Sequence, residues 1–367
     1  MLKSIVLKNF KVHKYSDLEL RPITILSGIN GMGKSSVIQA LLLLRQSAQN
    51  GDIEGLNLKG SLCDAGTAYE VRSQEADEDA ISFEVRADEG ILKLRFELQD
   101  GMDTYIPYSR METFPKINTI SLFTDEFQYI SAFRSGPLPI YTRDTLVVKQ
   151  HRQISKEMGR CEYAVHFLFE YGEKITVLPS LKYPGKDFNQ LGDQVQAWMD
   201  AIAPNIMIKI ETQGNDLKLN YKYKRENKIP TNNISALNTG FGITYILPLL
   251  VALLSAKPGA LIIIENPEAH IHPRAQAVLM DLVAKCAKEG IQVILETHSD
   301  HIINGAMVAV HDGYPADGIA VYYIDRDVDE HASVIERMDV QKDGRILHAP
   351  AGFFDQIDID LERIIGL

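Results

Sequence analysis

The sequence predicts an α/β protein: a mainly parallel sheet carrying a phosphate-binding turn, with an antiparallel β subdomain and an inserted mixed α/β lobe. Three observations carry this. An apolar strand runs into the glycine-rich turn GINGMGKSS and then into a helix. Two later apolar strands, in LIIIENPE and QVILETHSD, end in clustered polar residues. Between about residues 60 and 110 the pattern changes to alternation, as in ISFEVRA and LKLRFEL. Apolar runs bounded by turn signals read as buried parallel strands, and alternation reads as half-buried antiparallel ones.

Taken in order, IVLKNF and LELRPITILSG read as short strands and SSVIQALLLLRQSAQ as a helix. In the middle of the chain YAVHFLFEY, MIKIE and LKLNYKY read as strand-like pieces, with a helix around LGDQVQAWMDAIA. Parallel architecture returns with a helix (ITYILPLLVALLSA), a strand (ALIIIE), a helix (PRAQAVLMDLVAKCAKEG) and a strand (IQVILET). The expected division is 1–110 (first lobe with the glycine-rich turn and β subdomain), 111–230 (inserted lobe), 231–310 (second lobe) and 311–367 (C-terminal extension).

At 367 residues, 45% hydrophobic and 24% charged, the chain has the composition of a globular protein with a sizeable core. Its longest apolar run, at 243–256, is short and holds Pro248, so no membrane span is expected. The N-terminus lacks the apolar core and cleavage site of a signal peptide. Three distant cysteines, Cys63, Cys161 and Cys286, indicate neither a disulfide framework nor a zinc site, and a reducing cytoplasm is the expected location. A net charge of −11 argues against a surface that coats nucleic acid indiscriminately.

Gly28, Gly33, Lys34 and Ser35 have the spacing G-x-x-x-x-G-K-[ST]. Glycines let backbone amides of the stretch Asn30, Gly31, Gly33 curl around phosphates, Lys34 brings a positive charge, and Ser35 offers a hydroxyl to Mg²⁺, with Ser36 beside it at the positive end of the helix. Glu265, ending the LIII strand, suits the second Mg²⁺ ligand. Glu268 and Asn266 compete to orient the attacking water; the carboxylate can also accept its proton, the amide cannot. His270 and His272 lack a third partner and are read as loop residues rather than metal ligands. His298, released one strand later, could hydrogen-bond a γ-phosphate.

These elements resemble the ATPase heads of the ABC class, in the SMC, RecF and overcoming-lysogenization-defect (OLD) branch. LKNFKVHKYSDLELRPITILSGINGMGKSS looks like that branch's N-terminal strands plus Walker A loop, and ENPEAHIHP with ETHSD like its Walker B, D-loop and switch-histidine segments. The resemblance makes SALNTGFGITYILPLL the signature segment, with Asn238, Thr239, Gly240 and Gly242 gripping the γ-phosphate bound to another subunit. It implies ATP and Mg²⁺ as ligands and a head-to-tail homodimer closed through nucleotide, with higher assembly left open. GRILHAPAGFFDQ and YISAFRSGP resemble stretches of small standalone ATPases found beside bacterial defence and nuclease genes. That implies a switch controlling a separate effector, a nuclease in antiviral defence. In YISAFRSGP, Arg134 could reach nucleotide or signal across the interface; a buried structural arginine explains it equally.

The sequence departs from the family in several places. Asn266 stands where a second acid is usual, which implies slow hydrolysis unless Glu268 compensates. Gln74 is the nearest candidate for the Q-loop glutamine. No coiled coil or Cys-x-x-Cys hook separates the two halves, and no Toprim acidic cluster follows; DRDVDE at 325–330 reads as a solvated loop. A RecF-like DNA-repair ATPase is the alternative, carried by KLNYKYKRENK at 218–228, where Tyr221 and Tyr223 alternate with basic residues and could stack bases. A solvated hairpin explains the same residues, and KQHRQISKEMGR at 149–160 is a similar basic strip. A transporter ATPase subunit is the third reading.

Overall fold

The computed structural model describes residues 1–49, 52–99, 101–113, 116–327, 329–350 and 352–365. Val328 of the acidic DRDVDE stretch and Ala351 of the C-terminal motif lie outside the described residues. The chain opens with β1 (Leu2–Phe10), β2 (His13–Glu19), β3 (Ile23–Gly28) and α1 (Lys34–Ser47). The alternating stretch then forms β4 (Ala80–Ala87), β5 (Gly90–Glu97) and β6 (Arg110–Thr113). With β1 and β2 they make a five-stranded sheet in the order β6-β5-β4-β1-β2, antiparallel at each junction.

After β7 (Phe127–Ile130) come α2 (Ala164–Tyr171), α3 (Leu191–Ile202), and the strands β8 (Ile206–Gln213), β9 (Asp216–Tyr223) and β10 (Ile234–Ser235). The remainder is α4 (Phe241–Ser255), β11 (Leu261–Glu265), α5 (Pro273–Lys288), β12 (Gln292–Glu296), α6 (Asp300–His311), β13 (Ile319–Arg326), β14 (Ser333–Arg337) and α7 (Gln356–Ile365). The central sheet has the order β7-β11-β12-β3-β13-β14 and is parallel up to β13; only the β13–β14 hairpin runs antiparallel.

Both faces of this sheet are covered, which is why its strands are apolar without alternation. Leu261, Ile263 and Ile294 pack on one side with α1 and the antiparallel sheet. Ile262, Ile264, Val293 and Leu295 pack on the other with α4, α5 and α6. Strand β3, which leads into the glycine-rich loop, sits inside, between β12 and β13. Every strand end that matters to the site therefore emerges along one edge.

Two expectations are corrected. YAVHFLFEY is not a strand but the helix α2: Ala164, Val165, Phe167 and Leu168 are buried at helical spacing against α3 and α4, and this packing overrides the strand preference of the aromatic residues. Tyr221 cannot stack a base. It shares one face of β9 with Leu217 and Leu219, is fully buried, and directs its hydroxyl toward Thr244 at 3.5 Å. Tyr223 is itself partly buried against the same core.

Candidate functional site

The loop between β3 and α1 is shaped by what surrounds it. Gly28 has a left-handed φ of 129°, and a Cβ there would collide with the Ile324 carbonyl on β13. Gly33, at φ 104°, caps α1 with no room for a side chain between His13 and Ser333. His13, buried, lies 3.0 Å from the Gly33 carbonyl through Nε2 and 2.9 Å from Ser16 Oγ through Nδ1. A carbonyl can only accept, so the neutral tautomer with its proton on Nε2 fits, and burial holds the imidazole down to about 4. From the far end of the chain, Ser333 donates its hydroxyl to the Met32 carbonyl at 2.7 Å and its N–H to the Val12 carbonyl at 2.8 Å. The loop is thus clamped from both sides.

Asn30, Gly31, Gly33, Lys34, Ser35 and Ser36 line a cleft of about 1090 Å³ together with Glu265, Asn266, Glu296 and His298. Lys34 Nζ donates to the carbonyls of Gly28 (2.8 Å) and Ile29 (2.6 Å), and burial lowers its pKa from the ordinary lysine value. Ser35 Oγ donates to Glu296 Oε1 at 2.8 Å. Glu265, at the end of β11, accepts the Ala132 N–H at 3.2 Å and the Ser131 hydroxyl at 3.4 Å. Burial still raises its pKa above the usual carboxylate range.

Asn266 follows at φ 45°, in the left-handed region that Asn tolerates better than Glu, and its N–H continues the ladder to the Glu296 carbonyl at 2.8 Å. That geometry is a physical reason for an amide where a second acid was expected. Glu268 is not among the residues that line the cleft. Its two oxygens accept the Thr297 hydroxyl and the His298 N–H, both at 2.8 Å, so it holds the histidine segment in place. His298 lines the cleft; burial and the nearby Lys34 charge lower its pKa.

The neighbouring histidines have structural duties. His272 Nδ1 caps α5 by accepting the Arg274 N–H at 3.2 Å, and His270 packs against Phe241 and Tyr245. Arg134 lines the same cleft, but its guanidinium is tied to the backbone. It is 2% exposed, and its guanidinium donates to the carbonyls of Ser131, Tyr245, Glu265 and Asn266 at 3.0–3.2 Å, tying the end of β11 to α4. Gln74 is exposed and lies outside the cleft; residues 131–136, directly after β7, occupy the place beside Glu265. Asn238 and Gly240 are exposed and Thr239 is buried just before α4; with Gly242 they lie outside this cleft. The basic strip at 149–160 is partly neutralised, Lys149 by Glu170 and Lys156 by Asp144, while Arg160 lines the cleft.

Sequence reasoning missed Glu296. Its Oε2 is buried with no hydrogen-bond partner, and burial together with the Glu265 charge pushes its pKa up to about 7. The available signal was the one used for Glu265, an acid closing an apolar run. Ser35, Glu265 and Glu296 offer hydroxyl and carboxylate oxygens to this cleft, the donor type that a hard divalent cation such as Mg²⁺ takes.

Three family models match separate parts of the chain: an AAA ATPase domain over residues 1–136, an "AAA domain, putative AbiEii toxin, Type IV TA system" over 180–304, and a protein family of unknown function (DUF3696) over 315–364. No curated protein matches the sequence. Among solved structures, the chain is similar to an SMC head bound to the C-terminal winged-helix domain of ScpA. The identity is 15%, the coverage 93% of this chain and 98% of that one, and the TM-score 0.55. It is also similar to an SMC head with an extended coiled coil bound to the C-terminal domain of ScpA derived from Pyrococcus furiosus, at 14% identity, 99% coverage of both chains and a TM-score of 0.52. At such identities the likeness concerns the fold alone, and the fold is that of an SMC head domain. The two AAA matches include the glycine-rich loop, Glu265 and His298, and they support an AAA-type ATPase.

Proposed function

We propose that the protein is an ATP-binding switch that closes as a head-to-tail homodimer, hydrolyses ATP slowly, and passes its state to a separate effector, a nuclease in antiviral defence. The observation that carries this reading is the convergence of Lys34, Ser35, Glu265 and His298, from three strand ends, on one cleft. On binding, Lys34 exchanges the Gly28 and Ile29 carbonyls for the β- and γ-phosphates, and the N–H groups of the loop and of the start of α1 hold the phosphate oxygens. Ser35 and Glu265 would hold Mg²⁺, which neutralises phosphate charge when bound. His298 faces the γ-phosphate from the cleft wall and carries its presence to the loop that Glu268 fixes.

Slow turnover follows from the water side of the site. Glu268 is held by the Thr297 hydroxyl and the His298 N–H and is not among the residues that line the cleft, which supports a positioning role over a base role; Asn266 orients water without accepting a proton. The exposed Asn238 and Gly240, away from the chain's own cleft, support a role on a nucleotide held by a second copy. Sedimentation with and without a non-hydrolysable ATP analogue tests the dimer: a monomer in both conditions sinks it. Radiolabelled ATP hydrolysis tests turnover, expected below ~1 s⁻¹, the slow end for enzymes. Co-purification from the native host tests the effector. The RecF-like alternative loses its stacking residue with Tyr221 buried, and salt-sensitive DNA binding that needs Lys224, Arg225 and Lys228 would revive it.

A further inference from the structure

The strand that separates the phosphate loop from the Walker B strand ends in an acid of its own. Glu296 closes β12, and β12 lies between β3 and β11. In register, Glu296 pairs with Glu265, so the two side chains leave the same face of adjacent strands, with backbones about 5 Å apart. Its Oε1 accepts a hydrogen bond from the Ser35 hydroxyl, and its Oε2 is buried without a hydrogen-bond partner, in a residue that lines the cleft. Relative exposure of the whole residue is 5%.

A buried carboxylate oxygen without a donor is costly unless something supplies positive charge. Lys34 is the nearby cation, but its ammonium already serves the Gly28 and Ile29 carbonyls and is the group that must turn to phosphate. Arg134 spends its guanidinium on carbonyls. Two neighbouring carboxylates and a serine hydroxyl, all oxygen, match the donors that a divalent cation takes.

We propose that Glu296 is a cation-holding carboxylate of this site, acting with Ser35 on the divalent ion of the bound nucleotide and supplying the negative charge that Asn266 does not. The proposal rests on reading the cleft as a Mg-nucleotide site. It places the second acid one strand nearer the phosphate loop than in the arrangement the resemblance implies. It also gives Asn266 a reason to remain an amide, because a third carboxylate beside Glu265 and Glu296 would overcharge the pocket.

The test uses the full chain, Mn²⁺ and ATP, with bound Mn²⁺ read by electron paramagnetic resonance and ATP affinity read separately in EDTA. Glu296→Gln keeps an acceptor for Ser35 Oγ and removes the charge. Its Mn²⁺ affinity in the presence of ATP should fall roughly 10–100-fold, the range for disturbed metal-site partners, while ATP affinity in EDTA holds. If Mn²⁺ affinity stays within about twofold of wild type, the proposal is overturned, whether or not turnover is lost; Glu265 and Glu296 would then share a proton, or Glu296 would act on water. Wild-type protein that takes up neither ATP nor Mn²⁺ overturns the nucleotide reading as a whole. Should Glu296→Gln not fold, Glu296→Asp withdraws the carboxylate by one methylene and must also weaken Mn²⁺; undiminished affinity there counts equally against the idea.

Discussion

Replacing Arg134 with methionine keeps an unbranched apolar stem and deletes all five N–H donors. Four backbone carbonyls lose their guanidinium partner, those of Ser131, Tyr245, Glu265 and Asn266. Each buried acceptor left unpaired costs about 1–3 kcal/mol, but water from the adjoining cleft can reach some of them, so the expected loss is about 3–5 kcal/mol. Urea unfolding followed by circular dichroism should show this as a lower midpoint at unchanged slope. Arg134→Lys should recover only part, since an ammonium has three donors and no planar fork. The tie joins the end of β11 to α4, so ATP-dependent dimer formation should weaken in both variants. A loss under about 1 kcal/mol in Arg134→Met would refute the reasoning, because it would mean that water satisfies the carbonyls as well as the arginine does.

Lys34→Ala should remove ATP binding in calorimetry, and retained affinity would count against the phosphate loop. Glu268→Gln presents an amide to two donors, Thr297 Oγ1 and the His298 N–H, and can accept from one of them only. Turnover should fall while ATP affinity holds, and wild-type turnover would disprove the positioning role. Gly242→Ala drives a methyl into the His270 carbonyl, so the analogue-induced dimer should be lost with binding in the cleft intact, as sedimentation and calorimetry would report. His13 is held down to about 4, below the ordinary 6.5, so its contribution to stability is present above pH 6.5 and lost as pH falls toward 4. Unfolding free energies from urea titrations at pH 7.5 and 4.5 should differ by a term of up to about 3 kcal/mol that His13→Gln abolishes.

The cleft was legible where the chemistry is local. Spacing alone fixes Gly28, Gly33, Lys34 and Ser35, and the strand-end rule finds Glu265 and His298. What sequence could not supply is which strands are neighbours. Glu296 gains its meaning only because β12 lies between β3 and β11, a fact of topology. The same holds for Ser131 and Ala132, which meet Glu265 across 133 or more positions, and for Ser333 under the phosphate loop. Tyr221 is the opposite case: its period-2 companions Leu217 and Leu219 mark its face as apolar, which neither base stacking nor a solvated hairpin takes into account.

β3 has its two neighbours very late in the chain: Val293 to Glu296 on one side and Ile319 to Ile324 on the other. A ribosome adding about 5–20 residues per second needs roughly 15–60 seconds to travel from the first of these strands to the last. During that time the loop before α1 has emerged without the strands that flank β3. If the cleft holds ATP, loading must wait until synthesis has passed β13, because a chain ended earlier lacks the strand beside the loop.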